Sequence, residues 1–274
     1  MRWLIVTADE LGLSTRRNQG IVDAHVKGIV TSASVLAYGP AFRDVPKIAK
    51  ALPRLDLGLH LNFSEGEPLV LGHKTLVNDK GVFWGRPEAR RRARENQFDL
   101  WEVELEAEAQ IEALKTAGLR ITHLSSVDHL HIRGNLAESL SVVAKRHGIR
   151  CFRCPADKVS PPSLKLDPER SAAVEEYRQS ALGAISVYAA QRMRSTENFG
   201  GAALIGQVTP ELMIEALRHL PVGLTELMVH PGLKAAESGF EGPDRARELQ
   251  ALTDPRLKTV LKEQGIGLTT FAKL

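Results

Sequence analysis

The feature that most narrows the fold of this chain is its rhythm. About seven times along 274 residues, a short apolar run is followed by a longer amphipathic stretch. Strands that alternate with helices pair in parallel, because a helical crossover brings each strand back to the same end of the sheet. The runs are Leu4 to Thr7, Ile29 to Leu36, Leu55 to Leu61, Ile121 to Leu124, Ile149 to Phe152, Leu224 to Val229 and Ile266 to Phe271. Helix punctuation lies between them. Ser14 reads as the N-cap of a helix that stops at a left-handed Gly28, and Pro53 follows a helix over 41–52. Helices are also expected over 100–117, closed by Gly118, and over 137–147, closed by Gly148. Thr209 and Pro210 open another, and 255–264 forms the last. One α/β domain over 1–274 follows, either an open doubly wound sheet or a (β/α) barrel-like sheet of about seven parallel strands. Two interruptions, about 64–99 and 155–208, exceed ordinary loop lengths and read as insertions shaping a substrate site.

Composition excludes several classes. The chain carries 36 basic and 33 acidic residues, a formal charge of +3 with no long basic tract, and only 5% aromatic residues, so neither a nucleic-acid nor a membrane partner is implied. No stretch approaches the roughly 20 apolar residues of a membrane span, and the N-terminus lacks a secretory apolar run, so a cytoplasmic protein is expected. A homo-oligomer is compatible with the sequence. Cys151 and Cys154 form a lone C-x-x-C, read as two reduced thiols at a strand end. Dinucleotide fingerprint, phosphate-binding loop and G-x-S-x-G elbow are all missing.

Polar residues gather where the expected strands stop, which is where parallel α/β folds place their chemistry. Asp9 and Glu10 follow the first strand, and His60 ends the third. Thr122 to His131, T-H-L-S-S-V-D-H-L-H, offers three histidines and Asp128, and Glu226 and His230 belong to the sixth strand. Adjacent carboxylates let one bind a metal while the other acts as a base. Imidazole with carboxylate suits zinc or a similar ion. His230, before Pro231 and Gly232, is placed to protonate a leaving group. The basic run Arg86 to Arg94 would attract an anion if it faced the site, but a solvated helix face is the expected reading.

Taken in order, five motifs resemble the YdjC-like carbohydrate deacetylases, the family that includes chito-oligosaccharide deacetylase and a hopanoid-biosynthesis member. They are A-D-E-L-G-L-S with Asn18 and Gly20; G-I-V-T-S-A-S with G-P-A-F; L-G-L-H-L-N with E-G-x-P-L; the Thr122 to His131 block; and T-E-L-M-V-H-P-G. The resemblance implies a barrel-like fold related to the polysaccharide deacetylases. It also implies one divalent metal, Mg2+ or Zn2+, and removal of an N-acetyl group from a small carbohydrate or glycolipid. It assigns Asp9 as base, His230 as acid and Glu10 and His60 as metal ligands, with Asn62, Arg153 and Glu226 at the substrate. The family's acidic pair is Asp-Asp, and Glu10 departs from it. The family's T-H-x-D-S-H-x-H-x-H places Ser125 on the aspartate and Val127 on the ligand histidine. Valine cannot coordinate. His129 is therefore the expected third ligand if the strand persists, or Asp128 if a loop begins there. A sugar-binding relative with an altered metal site and a metal-dependent phosphoesterase are the competing readings.

Overall fold

Each of the seven apolar runs contributes a strand, and every strand pairing is parallel. The computed structural model describes residues 1–234 and 241–274. Along the chain come β1 (Arg2–Leu11), α1 (Thr15–Val26), β2 (Ser32–Val35), α2 (Val45–Ala51), β3 (Asp56–Leu61), α3 (Arg86–Arg94), α4 (Leu100–Thr116), β4 (His123–Ser126) and α5 (Gly134–Arg146). They are followed by β5 (Cys151–Phe152), α6 (Pro168–Ala190), β6 (Asn198–Gly200), α7 (Pro210–Arg218), β7 (Gly223–Val229), α8 (Pro243–Leu252), α9 (Pro255–Glu263) and β8 (Ile266–Leu268).

The sheet runs β5-β4-β3-β2-β1-β7-β6, with β8 set beside the first residues of β1. The isolated bridges Cys151↔Arg194 and Asp157↔Phe199 lie between its two edges, so the sheet curls into a half-barrel with no ladder joining β5 to β6 among the described residues. β1 is the axis of the fold. It pairs with β7 over Arg2–Ala8 and with β2 over Thr7–Leu11. Leu4, Ile5, Val6 and Ala8 are completely buried, as expected of a parallel strand covered on both faces.

The structure corrects the sequence reading in three places. The stretch 155–208 is not simply an insertion, because it holds α6 and β6, an edge strand of the sheet that pairs with β7. The stretch 64–99 likewise contains α3. Gly28 is not left-handed; α1 ends at Val26, and a side chain at 28 would meet the Leu252 carbonyl oxygen at 2.3 Å. Close approach of the loop before β2 to α8 explains that glycine. Both cysteines are buried and free, and burial pushes their thiols up to about 11, so neither stands as a thiolate near neutral pH. No helix among the described residues is long and apolar enough to cross a membrane.

The barrel interior is polar at one level. His60 Nδ1 lies 2.8 Å from Ser125 Oγ, which donates to Ser34 Oγ at 3.0 Å, and Ser34 Oγ is 3.4 Å from His123 Nε2. The His123 ring stacks on Phe271 at 4.1 Å. It fits only because residue 58 is glycine: a Cβ there would stand 2.4 Å from the imidazole. His131 is held between Ser126 Oγ at 2.8 Å and the Arg153 carbonyl at 2.9 Å. Burial lowers His60 to about 4 and His123 and His131 to about 3, so all three are neutral in the fold.

An unfolded chain protonates these imidazoles near 6.5, whereas the folded chain resists until pH 4 or below. The stability they contribute is complete above the unfolded value and is lost as the pH falls through this window, each group adding up to about 1.4 kcal/mol per pH unit. The urea midpoint should therefore drop steeply between pH 6.5 and 4; a flat midpoint would contradict neutral burial.

Candidate active-site pocket

At the carboxyl ends of the strands, a cavity of about 430 Å³ is lined by Asp9, Glu10, His60, Val127, Asp128, His129 and His230 among others. Asp9, Glu10, His60, Asp128, His129 and His230 are therefore brought together, whereas Asn62, Arg153 and Glu226 are not part of this lining. A larger cleft of about 910 Å³ opens at the opposite ends of the strands, around Arg120, Lys145 and Arg194, and touches none of them.

On a regular strand, adjacent side chains face opposite ways. Here the pairing of β1 with β2 shifts register between Asp9 and Leu11, and Glu10 takes φ 69°. This bulge turns both carboxylates into the cavity. A non-glycine residue in the left-handed region is strained, and such strain gathers at functional sites.

Behind Asp9 lies a completely buried arginine. Arg153 Nη1 and Nη2 bind the two Asp9 oxygens at 2.5 and 2.7 Å, while Nε and Nη2 reach Glu226 Oε1 at 2.9 and 2.8 Å. Burial, the largest single influence, raises the Asp9 carboxyl, but the charge and hydrogen bonds of Arg153 together with His60 and His230 hold the group well below the usual carboxylate range. Asp9 is thus ionised in the resting pocket. Arg153 and Glu226 were expected at the substrate; at 0% exposure and outside the cavity lining, they instead position Asp9. Asn62 lies outside this lining and borders an adjoining cavity with Glu10, Arg86 and Val127. Its amide oxygen accepts from the Ser64 and Glu65 backbone N–H groups and its nitrogen donates to the Glu65 carbonyl, which fixes the turn after β3.

His230 follows β7, with Nε2 3.9 Å from Asp9 Oδ2. Its backbone N–H donates to Glu248 Oε1 at 2.7 Å, and its carbonyl accepts from Arg17 Nη1 at 2.9 Å. Burial lowers the imidazole well below its usual value, so it is neutral.

The segment after β4 departs from expectation. Strand pairing ends at Ser126, and Asp128 and His129 are both left-handed, with φ 52° and 54°, so strand alternation does not govern where they point. Asp128 lies 3.9 Å from Arg86 and 4.0 Å from Arg90. His129 is buried edge-on to Tyr177 at 4.9 Å and Phe199 at 6.0 Å, and its Nδ1 has no hydrogen-bond partner among the described residues.

Glu10 sits between two arginines. Oε1 accepts from Arg86 Nη2 at 3.2 Å, and Oε2, which receives no hydrogen bond, is 3.6 Å from Arg17 Nη2. This donor set does not fit a divalent metal. Among the described residues no three His, Cys, Asp or Glu side chains converge as a cage, residue 127 is a buried valine, and an ion at Glu10 would meet both guanidiniums. At an effective dielectric near 20, the repulsion alone between a unit positive charge and a guanidinium about 4 Å away is about 4 kcal/mol, before the offset from Glu241 beside Arg17 and Glu65 beside Arg86. The expected ligand set Glu10, His60 and His129, or Asp128 in its place, is therefore not assembled.

Two features escaped the sequence reading. The Arg86 to Arg94 run splits: Arg91 and Arg92 pair with Glu88 in the surface of α3, while Arg86 and Arg90 face the cavity. Arg170 and Tyr177 arrive from α6, whose start was marked by Asp167 and Pro168 as cap and first helical residue. Arg17 was not singled out either, although an arginine in the first turn of a helix opposes the dipole and calls for a compensating anion.

Replacing Arg153 by Met would leave two buried carboxylates uncompensated, at a cost of about 3–5 kcal/mol. Guanidinium denaturation should show this loss, and adding Asp9→Asn with Glu226→Gln should recover much of it; an unchanged midpoint in the single variant would refute the clamp.

Residues 3–263 match the family model described as YdjC-like protein. A carbohydrate deacetylase of Mus musculus is 30% identical, over 99% of this chain and 94% of the relative. One from Geobacillus stearothermophilus is 31% identical, over 98% and 97%. A crystal structure of an Enterococcus faecalis V583 protein, described as a cellobiose-phosphate cleavage protein, superposes with a TM-score of 0.79 at 23% identity, over 99% and 98% of the two chains. That likeness bears on the fold.

Proposed function

We infer an activity from one premise: this chain belongs to the YdjC-like protein family. It is a carbohydrate deacetylase that hydrolyses an N-acetyl group on an amino sugar, free or within a glycan or glycolipid. The observation that carries this reading is the ionised Asp9 lying 3.9 Å from a neutral His230 on the floor of a sugar-sized cavity. The names of relatives that align over nearly the whole chain support the substrate class.

In the reaction, water adds to the acetyl carbonyl carbon and the C–N bond breaks, releasing acetate and a free amine. Asp9 accepts the proton given up by water. Arg153 fixes the orientation of that carboxylate and keeps it charged. His230 carries the proton to the departing nitrogen, and its backbone anchors to Glu248 and Arg17 keep the ring over Asp9. His129 and Tyr177 line the cavity and supply flat ring surfaces against which a sugar can pack. Dependence on Mg2+ or Zn2+ is the finer expectation of the family resemblance. With Glu10 between two arginines and valine at 127, no step is drawn through a metal.

A second reading, a sugar-binding protein with little or no turnover, is favoured by those same two residues. Acetate release from N-acetylglucosamine oligomers separates the two. The wild type should release acetate, and Asp9→Asn should slow it about 10²–10⁴-fold with the fold intact. Saturable oligomer binding by the wild type without acetate release would instead establish the binding protein.

A further inference from the structure

Three carboxylates converge on one guanidinium at the mouth of the cavity. Arg86 Nη2 binds Glu10 Oε1 at 3.2 Å, Nε binds Glu65 Oε2 at 2.8 Å, and Nη1 lies 3.9 Å from Asp128 Oδ1. Three acidic side chains gathered around a point ordinarily describe a cation site. Here the cation is covalently part of the protein. We propose that Arg86 is the resident positive charge of this pocket and takes the place of a divalent metal, so that the chain folds and binds its ligand without one.

The local structure is built for this. α3 begins at Arg86 with Pro87 in its first turn, so the guanidinium projects from the start of the helix over the strained end of β1. The left-handed φ of Glu10 and its longer side chain carry the carboxylate out to Arg86. Asn62 fixes the turn that presents Glu65. Val127 lines the cavity beside Glu10 and Arg86, where it makes no demand for a charge. Arg86 remains about a quarter exposed, so an oxygen of an incoming ligand can reach the guanidinium alongside its carboxylate partners. A planar guanidinium donates directional hydrogen bonds to a carbonyl oxygen or to an oxyanion, and it has no coordination shell to fill. Where the deacetylase reading holds, the acetyl oxygen is that acceptor; the proposal about the metal stands independently of it.

The full-length protein, stripped with EDTA, incubated with Zn2+ or Mn2+ and desalted, should retain a substoichiometric amount of either ion by mass spectrometry. Arg86→Ala leaves Glu10, Glu65 and Asp128 uncompensated and should bind Mn2+ at least about tenfold more tightly by calorimetry, because affinity at such sites follows ligand charge. Arg86→Lys, which keeps the charge, should behave as the wild type. A stoichiometric ion in the wild type that Glu10→Gln abolishes would overturn the proposal, as would an unchanged Mn2+ affinity in a folded Arg86→Ala protein. If Arg86→Ala fails to fold, the wild type and Glu10→Gln decide the question. Acetate release measured alongside with and without EDTA reports on the deacetylase reading alone, so the two ideas fail separately.

Discussion

The geometry of the pocket depends on one buried cation. Arg153 leaves the chain just after β5, yet its guanidinium binds Asp9 at the end of β1 and Glu226 in β7, while its carbonyl lies 2.9 Å from His131 Nε2. Four segments distant in sequence are thereby tied at one level of the barrel. A buried ion pair of this kind adds little net stability over apolar packing, because the desolvation of three charges offsets their attraction. Its contribution is positional: with both oxygens of Asp9 held, the carboxylate has one orientation, and His230 and the cavity are arranged around it.

Much of the fold was legible in the sequence, because apolar runs between capped helices leave few alternatives. Ser14, Asp99, Asp167, Thr209 and Asp254 all cap helices through their side chains. What was not legible has physical reasons. β6 is three residues long and rests on pairing with β7, so no local pattern announces it. α6 is largely exposed along its length and buries only Ala181, Ala184 and Tyr188, which leaves almost no apolar stripe to read.

The site residues were found by where strands end, and that rule brought Asp9, Glu10, His60, His129 and His230 to one cavity. Their division of labour was harder to read. Arg153 and Glu226 look like ligand-binding residues in a list of polar side chains, and only the direction of their contacts shows that they face Asp9 and not the cavity. The bulge at Glu10 and the left-handed pair at Asp128 and His129 are likewise products of tertiary context, invisible to strand alternation.

The cluster of Glu10, Glu65 and Asp128 around Arg86 also bears on how such a site can change over generations. Four charges that share contacts do not mutate independently: altering any one changes the cost of altering the others. A lineage that acquired the arginine would find each carboxylate harder to lose, and one that lost a carboxylate first would find the arginine less useful. Substitution at one of the four positions is therefore expected to change what the other three can tolerate.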